Sequence, residues 1–291
     1  LFRSAENNKS HINLYVALGI KSRACLAEGD WDGAFKAAKR VIDEGGYAVG
    51  TKSDLTGGMN SLDKQNVMWG AGIQVADQAG GYAGFFTHMD NKEGAYAKSA
   101  PKLISKQLYN RISATDIRRD WWDPSDKESP YVSKKFSFAN VASFLGDYIY
   151  MRVEEMYFTA AEAALRLDDL KSARELMNTV MAERDPGYSA NNRSGTLLGA
   201  TTTTWTGSFL ENILTHRRIE LWGEYGRLFD VRRLGQGIDR RTDDGFSEEC
   251  ISMMNRRNVN ITKADTYDWV LTIPKAELDA NPNINEEDQN P

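Results

Sequence analysis

Apolar positions recur at a helical period in three separate stretches of the chain. Leu14, Ala17, Leu18, Ala24 and Cys25 form a stripe that Gly29-Asp30 breaks, and Ala34, Ala38 and Val41 line a second helix that Gly45-Gly46 ends. The pattern predicts a helical hairpin over about 9–46. Residues 151–184 repeat it. At an offset of 139 positions, Asp30 falls on Asp169, Ala34 on Ala173, Ala38 on Met177 and Val41 on Val180, while Ala24, Cys25 and Leu26 fall on Ala163, Ala164 and Leu165. Small residues at such positions let helix backbones approach while larger neighbours fill the grooves. A helix–turn–helix of about 34 residues is the tetratricopeptide-like unit. A third hairpin is predicted at about 208–235, punctuated by Gly223 and Gly226. The hairpins are not in tandem, so a plain solenoid is not expected.

Between the first two hairpins lies an insertion of different texture, about 47–148. Residues 66–74 read as a short strand, 101–110 as a short helix and 131–138 as extended chain, and glycines at 57, 58, 70, 72, 80, 81, 84 and 94 predict shaped loops. Residues 185–207 are a polar connector, and the tail from 273 is broken by Pro274, Pro282 and Pro291. The expected fold class is therefore mostly α: TPR-like helical hairpins as scaffold, with an irregular loop-rich insertion containing short strands, in one domain over 1–291. The chain opens Leu1-Phe2-Arg3 with no initiator methionine, signal peptide or lipobox, and reads as the later part of a longer protein.

Composition narrows the function classes. Lysine and arginine number 36 against 41 acids, and a net charge of −5 does not suit a general nucleic-acid binder. No run of apolar residues is long enough to span a bilayer as a helix. Cys25 and Cys250 make no C-x-x-C pair, and with three histidines no metal site is expected. Gly45 to Ser53 approaches a phosphate loop but has one residue too many before Lys52 and follows a helix; Gly70-x-Gly72 lacks the third glycine of a dinucleotide loop; Arg240 and Ile251 stand where a calcium loop around Gly245 needs carboxylates. No cofactor and no catalytic residue is predicted. Glu154, Glu155, Glu162, Glu220 and Glu224 all lie on predicted helices near arginines, which suits structural ion pairs, including an i,i+3 pair of Arg217 with Glu220.

The aromatic residues are more informative: 7 tryptophans, 12 tyrosines and 11 phenylalanines, many in loops where no apolar period demands them. Sugars present flat C–H faces that stack on rigid rings at small entropic cost. The candidate ligand-binding residues are Trp121 and Trp122, within Arg118-Arg119-Asp120-Trp121-Trp122-Asp123, together with Tyr82 and Phe86 in the glycine-rich stretch and Trp205 in the polar connector. Trp31 reads as packing on the first turn, and Trp69 and Trp222 read as core.

Three co-linear segments carry a family resemblance. In 148–184, Arg152, Glu155 and Ala161-Glu162-Ala163 match an R-x-x-E-x-x-x-x-x-A-E-A helix; in 213–235, Arg218, Glu220-Leu221, Glu224, Gly226-Arg227, Asp230 and Arg233 fall in place; and the ending has Ile273-Pro274, Glu277-Leu278, Asn281-Pro282 and Gln289-Asn290-Pro291. In these the chain resembles the SusD/RagB family, the surface nutrient-binding lipoproteins of Bacteroidetes. The resemblance implies non-catalytic binding of glycan or another nutrient at the outer-membrane cell surface, delivery to a SusC-like TonB-dependent transporter, and a lipid anchor upstream of this chain. Two other readings are kept: a helical-repeat module that binds a partner protein, and a glycoside hydrolase.

Overall fold

The computed structural model describes residues 8–77, 84–193, 207–235 and 272–289. Helix α1 (Leu14–Glu28) and α2 (Trp31–Glu44) form an antiparallel hairpin, as do α7 (Val153–Arg166) and α8 (Leu170–Ala182). Helix α7 is the hub, packed on α1, α2, α8 and α9 (Phe209–Glu220). The small positions explain this closeness: Ala34, Ala38, Ala160, Ala161, Ala164 and Ala173 are fully or almost fully buried, and Val41, Met177 and Val180 fill the space between backbones.

The two hairpins share their turn chemistry residue for residue. Asp30 and Asp169 cap the second helices by accepting from the Gly33 and Ser172 amides, and the N–H groups of both aspartates bond back to Cys25 and Ala164 carbonyls at 2.9 Å. The residue before each cap is left-handed, Gly29 at φ 84° and Asp168 at φ 61°. Glycine adopts this conformation without strain, whereas an aspartate carries a Cβ penalty. Asp168→Gly is thus expected to stabilise the protein by about 0.5–1 kcal/mol, net of the extra freedom it gives the unfolded chain. An unchanged or lowered urea midpoint would show that the second turn is not strained.

The insertion forms a second layer. It carries short helices α3 (Lys52–Thr56), α4 (Phe85–Met89), α5 (Ala95–Ser99) and α6 (Lys106–Tyr109), a 3-10 turn at Ile117–Trp121, and the two-residue strands β2 (Trp122–Asp123) and β3 (Val132–Ser133). Its longest strand, β1 (Val67–Ala71), pairs antiparallel with β4 (Tyr148–Arg152), with irregularities on either side of Trp69. Strand β4 runs directly into α7, so this ribbon ties the insertion to the hub helix. The insertion has its own core, in which Leu55, Phe86, Ile104, Trp121, Trp122, Phe136 and Phe138 surround Ile219 of α9. Beyond α9, α10 (Arg227–Arg233) packs on α1, and α11 (Lys275–Ala280) lies in the tail. No helix among the described residues is long and apolar enough to cross a membrane.

Candidate functional site: an aromatic cleft above buried ion pairs

The site begins with the charges beneath it. Arg118, Lys135, Arg152 and Arg184 meet Asp116, Glu154, Glu220 and Glu224, with side chains 0–8% exposed. Four cations face four anions, which makes their joint burial tolerable. Glu220 is the centre: its two oxygens accept from Arg118 at 3.1 Å, Arg152 at 3.0 Å and Arg184 at 2.9 and 3.0 Å. Burial alone would raise its pKa, but the guanidiniums of Arg184, Arg152 and Arg118 hold it well below the ordinary carboxylate range. His216 is also enclosed. Burial and then Arg118 push its pKa well down, so the neutral ring accepts from the Arg118 guanidinium through Nδ1 at 2.8 Å.

These acids do pair with arginines, locally for Arg152 with Glu154 at 3.1 Å and Arg166 with Glu162 at 3.0 Å, and otherwise across distant segments. Arg217, expected one turn from Glu220, instead turns to Asp230 at 3.0 Å and to Glu155 at 3.6 Å, and Arg233 bridges Asp230 and Glu162. The ion pairs clamp α7, α9, α10, β4 and the insertion together. That fixes the walls of the cavity above them.

That cavity encloses about 470 Å³ and is mostly apolar. Trp69 of β1 and Tyr150 of β4 meet edge to face on one side, with centroids 5.1 Å apart. Phe85 of α4 lies against Phe136 at 5.2 Å and Tyr148 at 6.0 Å on another. The turn after α9 supplies Gly223, Glu224 and Tyr225. Gly223 sits at φ 74°, and a Cβ there would come within 2.5 Å of the Phe136 ring, so the tight turn requires glycine.

Arg23, from α1, is the cleft's fixed polar group. Its Nε and Nη2 donate to Glu155 at 2.8 and 2.7 Å, Nη2 also reaches the Tyr150 carbonyl at 2.7 Å, and the guanidinium lies 3.7 Å from the Tyr225 ring centroid. Nη1 makes no hydrogen bond among the described residues. Glu224 is the carboxylate in the lining. Burial would raise its pKa, but Arg152 and Lys135 more than compensate and keep it ionised.

The structure redistributes the aromatic candidates. Trp121, Trp122 and Phe86 are 3%, 1% and 1% exposed, so none offers a ring face to a ligand. Trp121 donates to the Leu55 carbonyl at 3.1 Å, Trp122 is wedged edge-on between Trp121 and Trp222, and Phe86 packs among Phe85, Phe138 and Tyr148. Burial of two adjacent tryptophans follows from the chain turning out of a 3-10 helix into β2 at that point. Tyr82 and Trp205 lie outside the described residues. Trp69, read from its apolar strand as core, is instead half-buried at the cleft, while Trp222 packs on Trp122 and Phe136. Sequence reasoning missed Tyr148, Tyr150, Tyr225 and Arg23. The usable signal was the two-residue spacing of Tyr148 and Tyr150, which puts both rings on one face of a strand. Among the described residues no cluster of His, Cys, Asp or Glu side chains is placed to hold a metal ion.

The model of the SusD family matches residues 86–291. Among solved structures, a SusD-like carbohydrate-binding protein from Bacteroides vulgatus is similar at 26% identity and TM-score 0.76, over 96% of this chain and 60% of that one. A SusD superfamily protein from Bacteroides thetaiotaomicron is similar at 24% identity and TM-score 0.76, over 100% of this chain and 62% of its own. Surface glycan-binding protein A from Bacteroides uniformis shares the fold at 16% identity and TM-score 0.66, over 99% and 63%. The chain thus spans about three-fifths of the length of these proteins. None of the curated protein sequences matches it.

Proposed function

The chain belongs to the SusD family, and we propose that it binds glycan without cleaving it, holding the sugar in the aromatic cleft for delivery to a SusC-like TonB-dependent outer-membrane transporter. The observation that carries this reading is the cleft itself: partly exposed rings of Trp69, Tyr148, Tyr150 and Tyr225 around a guanidinium that is already oriented and whose Nη1 has no hydrogen-bond partner among the described residues. Rings would stack on sugar C–H faces, and Arg23 Nη1 would donate to a ring or hydroxyl oxygen. Because Glu155, the Tyr150 carbonyl and the Tyr225 ring already hold Arg23, little side-chain entropy is lost on binding. A family neighbour described as carbohydrate-binding supports the same ligand class.

Hydrolysis fits the site poorly. A glycosidase needs a carboxylic acid that can give up a proton beside a second carboxylate. Glu224 is pinned in its ionised form by Arg152 and Lys135, so it has no proton to give. Placement at the outer-membrane surface, through a lipid anchor on a segment preceding this chain, belongs to the same proposal.

The test is titration calorimetry of this chain against a panel of polysaccharides and oligosaccharides, with product analysis of each mixture. Saturable binding without released sugar is expected. Steady release of shorter products, abolished by Glu224→Gln, would replace the binding reading with an enzymatic one.

A further inference from the structure

The buried apolar part of the cleft lining is Met59 and Phe136, 6% and 3% exposed, with Phe85 and Ile149 beside them. Their side chains offer no donor and, apart from the weak Met59 sulfur, no acceptor. A pyranose carries a hydroxyl on most of its carbons. Each one pressed onto such a surface without a partner costs roughly ten- to a hundredfold in affinity. The part of a sugar that enters here must therefore be apolar.

Two charged side chains of the lining are held in place beside that surface. Arg23 offers Nη1 as a donor, since its Nε and Nη2 already serve Glu155 and the Tyr150 carbonyl. Glu224 offers an acceptor. Its Oε1 takes Lys135 and Arg152 Nη2, whereas Oε2 takes only Arg152 Nε at 2.8 Å, so among the described residues one lone pair of Oε2 is left over. The Tyr148 hydroxyl is engaged by the Phe85 amide at 3.4 Å, and the hydroxyls of Tyr150 and Tyr225 belong to partly exposed side chains. The cleft thus sets one anchored donor and one anchored acceptor against an apolar surface.

We propose that the cleft selects a sugar bearing an acetamido group, whose N–H donates to Glu224 Oε2, whose carbonyl accepts from Arg23 Nη1 and whose methyl covers Met59, Phe136 and Ile149. This deepens the reading of the cleft as the glycan site and rests on it. A trans amide is planar, with N–H and C=O on opposite sides, so a donor and an acceptor can each meet one end of it. A hydroxyl in the same place reaches either charged group but leaves the apolar surface uncovered. A carboxylate substituent is disfavoured, because Glu224 repels it and Glu155 already neutralises Arg23. A bare amino group brings another cation beside Arg23 and Arg152 and supplies no carbonyl and no methyl.

Titration calorimetry with matched oligosaccharides tests the assignment. Chitotetraose and cellotetraose share ring configuration and linkage and differ at C2, acetamido against hydroxyl. N-acetylgalactosamine and galactose make the same comparison in the other common configuration, and fucosylated oligosaccharides bring a methyl without an amide. Within a matched pair the acetamido member is expected to bind about thirtyfold tighter, from one buried methyl and two charge-assisted hydrogen bonds less what the hydroxyl recovers. Saturation-transfer NMR of the tightest acetamido ligand should give its acetyl methyl protons the strongest signal. A methyl signal weaker than those of the ring protons would overturn the selection and leave the cleft a glycan site. Tightest binding by a panel glycan without an acetamido group, the fucosylated ones included, would do the same. Silence across the whole panel would overturn the glycan reading and the selection together.

Discussion

Glu220→Gln is expected to cost about 3–5 kcal/mol of folding free energy, the range seen when one member of a buried ion cluster is removed. The amide keeps the shape but removes the charge, and it turns a donor toward one of the guanidiniums that the carboxylate now satisfies at 2.9–3.1 Å. Three arginines would then share a cluster with four cations and three anions. Urea unfolding followed by tryptophan fluorescence measures the loss, and a change below about 1 kcal/mol would mean that water or rearrangement satisfies these groups as well as Glu220 does.

The buried titratable groups of this cluster and of the Arg217–Asp230–Arg233–Glu162 pairs set the acid limit of the fold. His216 has a folded pKa well below its ordinary 6.5, so as the pH falls through that value the proton goes to the unfolded chain and stability begins to drop. Glu220, Glu162 and Asp230 have lowered folded pKa values, so their contributions are present above the ordinary carboxylate range and are lost as the pH falls below it. Stability should decline from about pH 6.5 and more steeply below about 4.5. The wild type, compared with His216→Gln by thermal unfolding, separates the two limbs.

Trp69→Ala is expected to weaken glycan binding by about 2 kcal/mol, some thirtyfold in Kd, because a rigid indole at the cleft wall supplies both area and orientation. The ring is half-buried at the cleft and packs edge-on against Tyr150, so the fold should survive its removal. Calorimetry against whichever glycan binds the wild type gives the Kd, and circular dichroism checks the fold. Trp121→Ala and Trp122→Ala provide the contrast. Each empties a buried site and should cost about 3–5 kcal/mol of stability. If instead they weakened binding at unchanged stability while Trp69→Ala did nothing, the site would have been placed wrongly.

The scaffold was legible in the chain because helix pairing is written in local chemistry. Asp30 and Asp169 at the turns, and Ala34 with Ala173 on the packed faces, are read within a few residues of one another. The 3.6-residue period then says which face turns inward. The aromatic site was not legible in this way. Trp121, Trp122, Trp69 and Tyr150 all carry large aromatic rings, and which of them is enclosed depends on which segments fold over them.

The sequence by itself determined the first two helical hairpins, the presence of irregular chain with short strands between them, and the pairing of most helix acids with arginines, since each follows from spacing or from the cost of an unpaired charge. Tertiary structure alone decided the rest. It chose the partners of Glu220 from the insertion, β4 and the end of α8, turned two tryptophans inward, and left the Trp69, Tyr148, Tyr150 and Tyr225 rings around one cavity. Burial is a property of surfaces brought together from distant parts of the chain, and no local period encodes it.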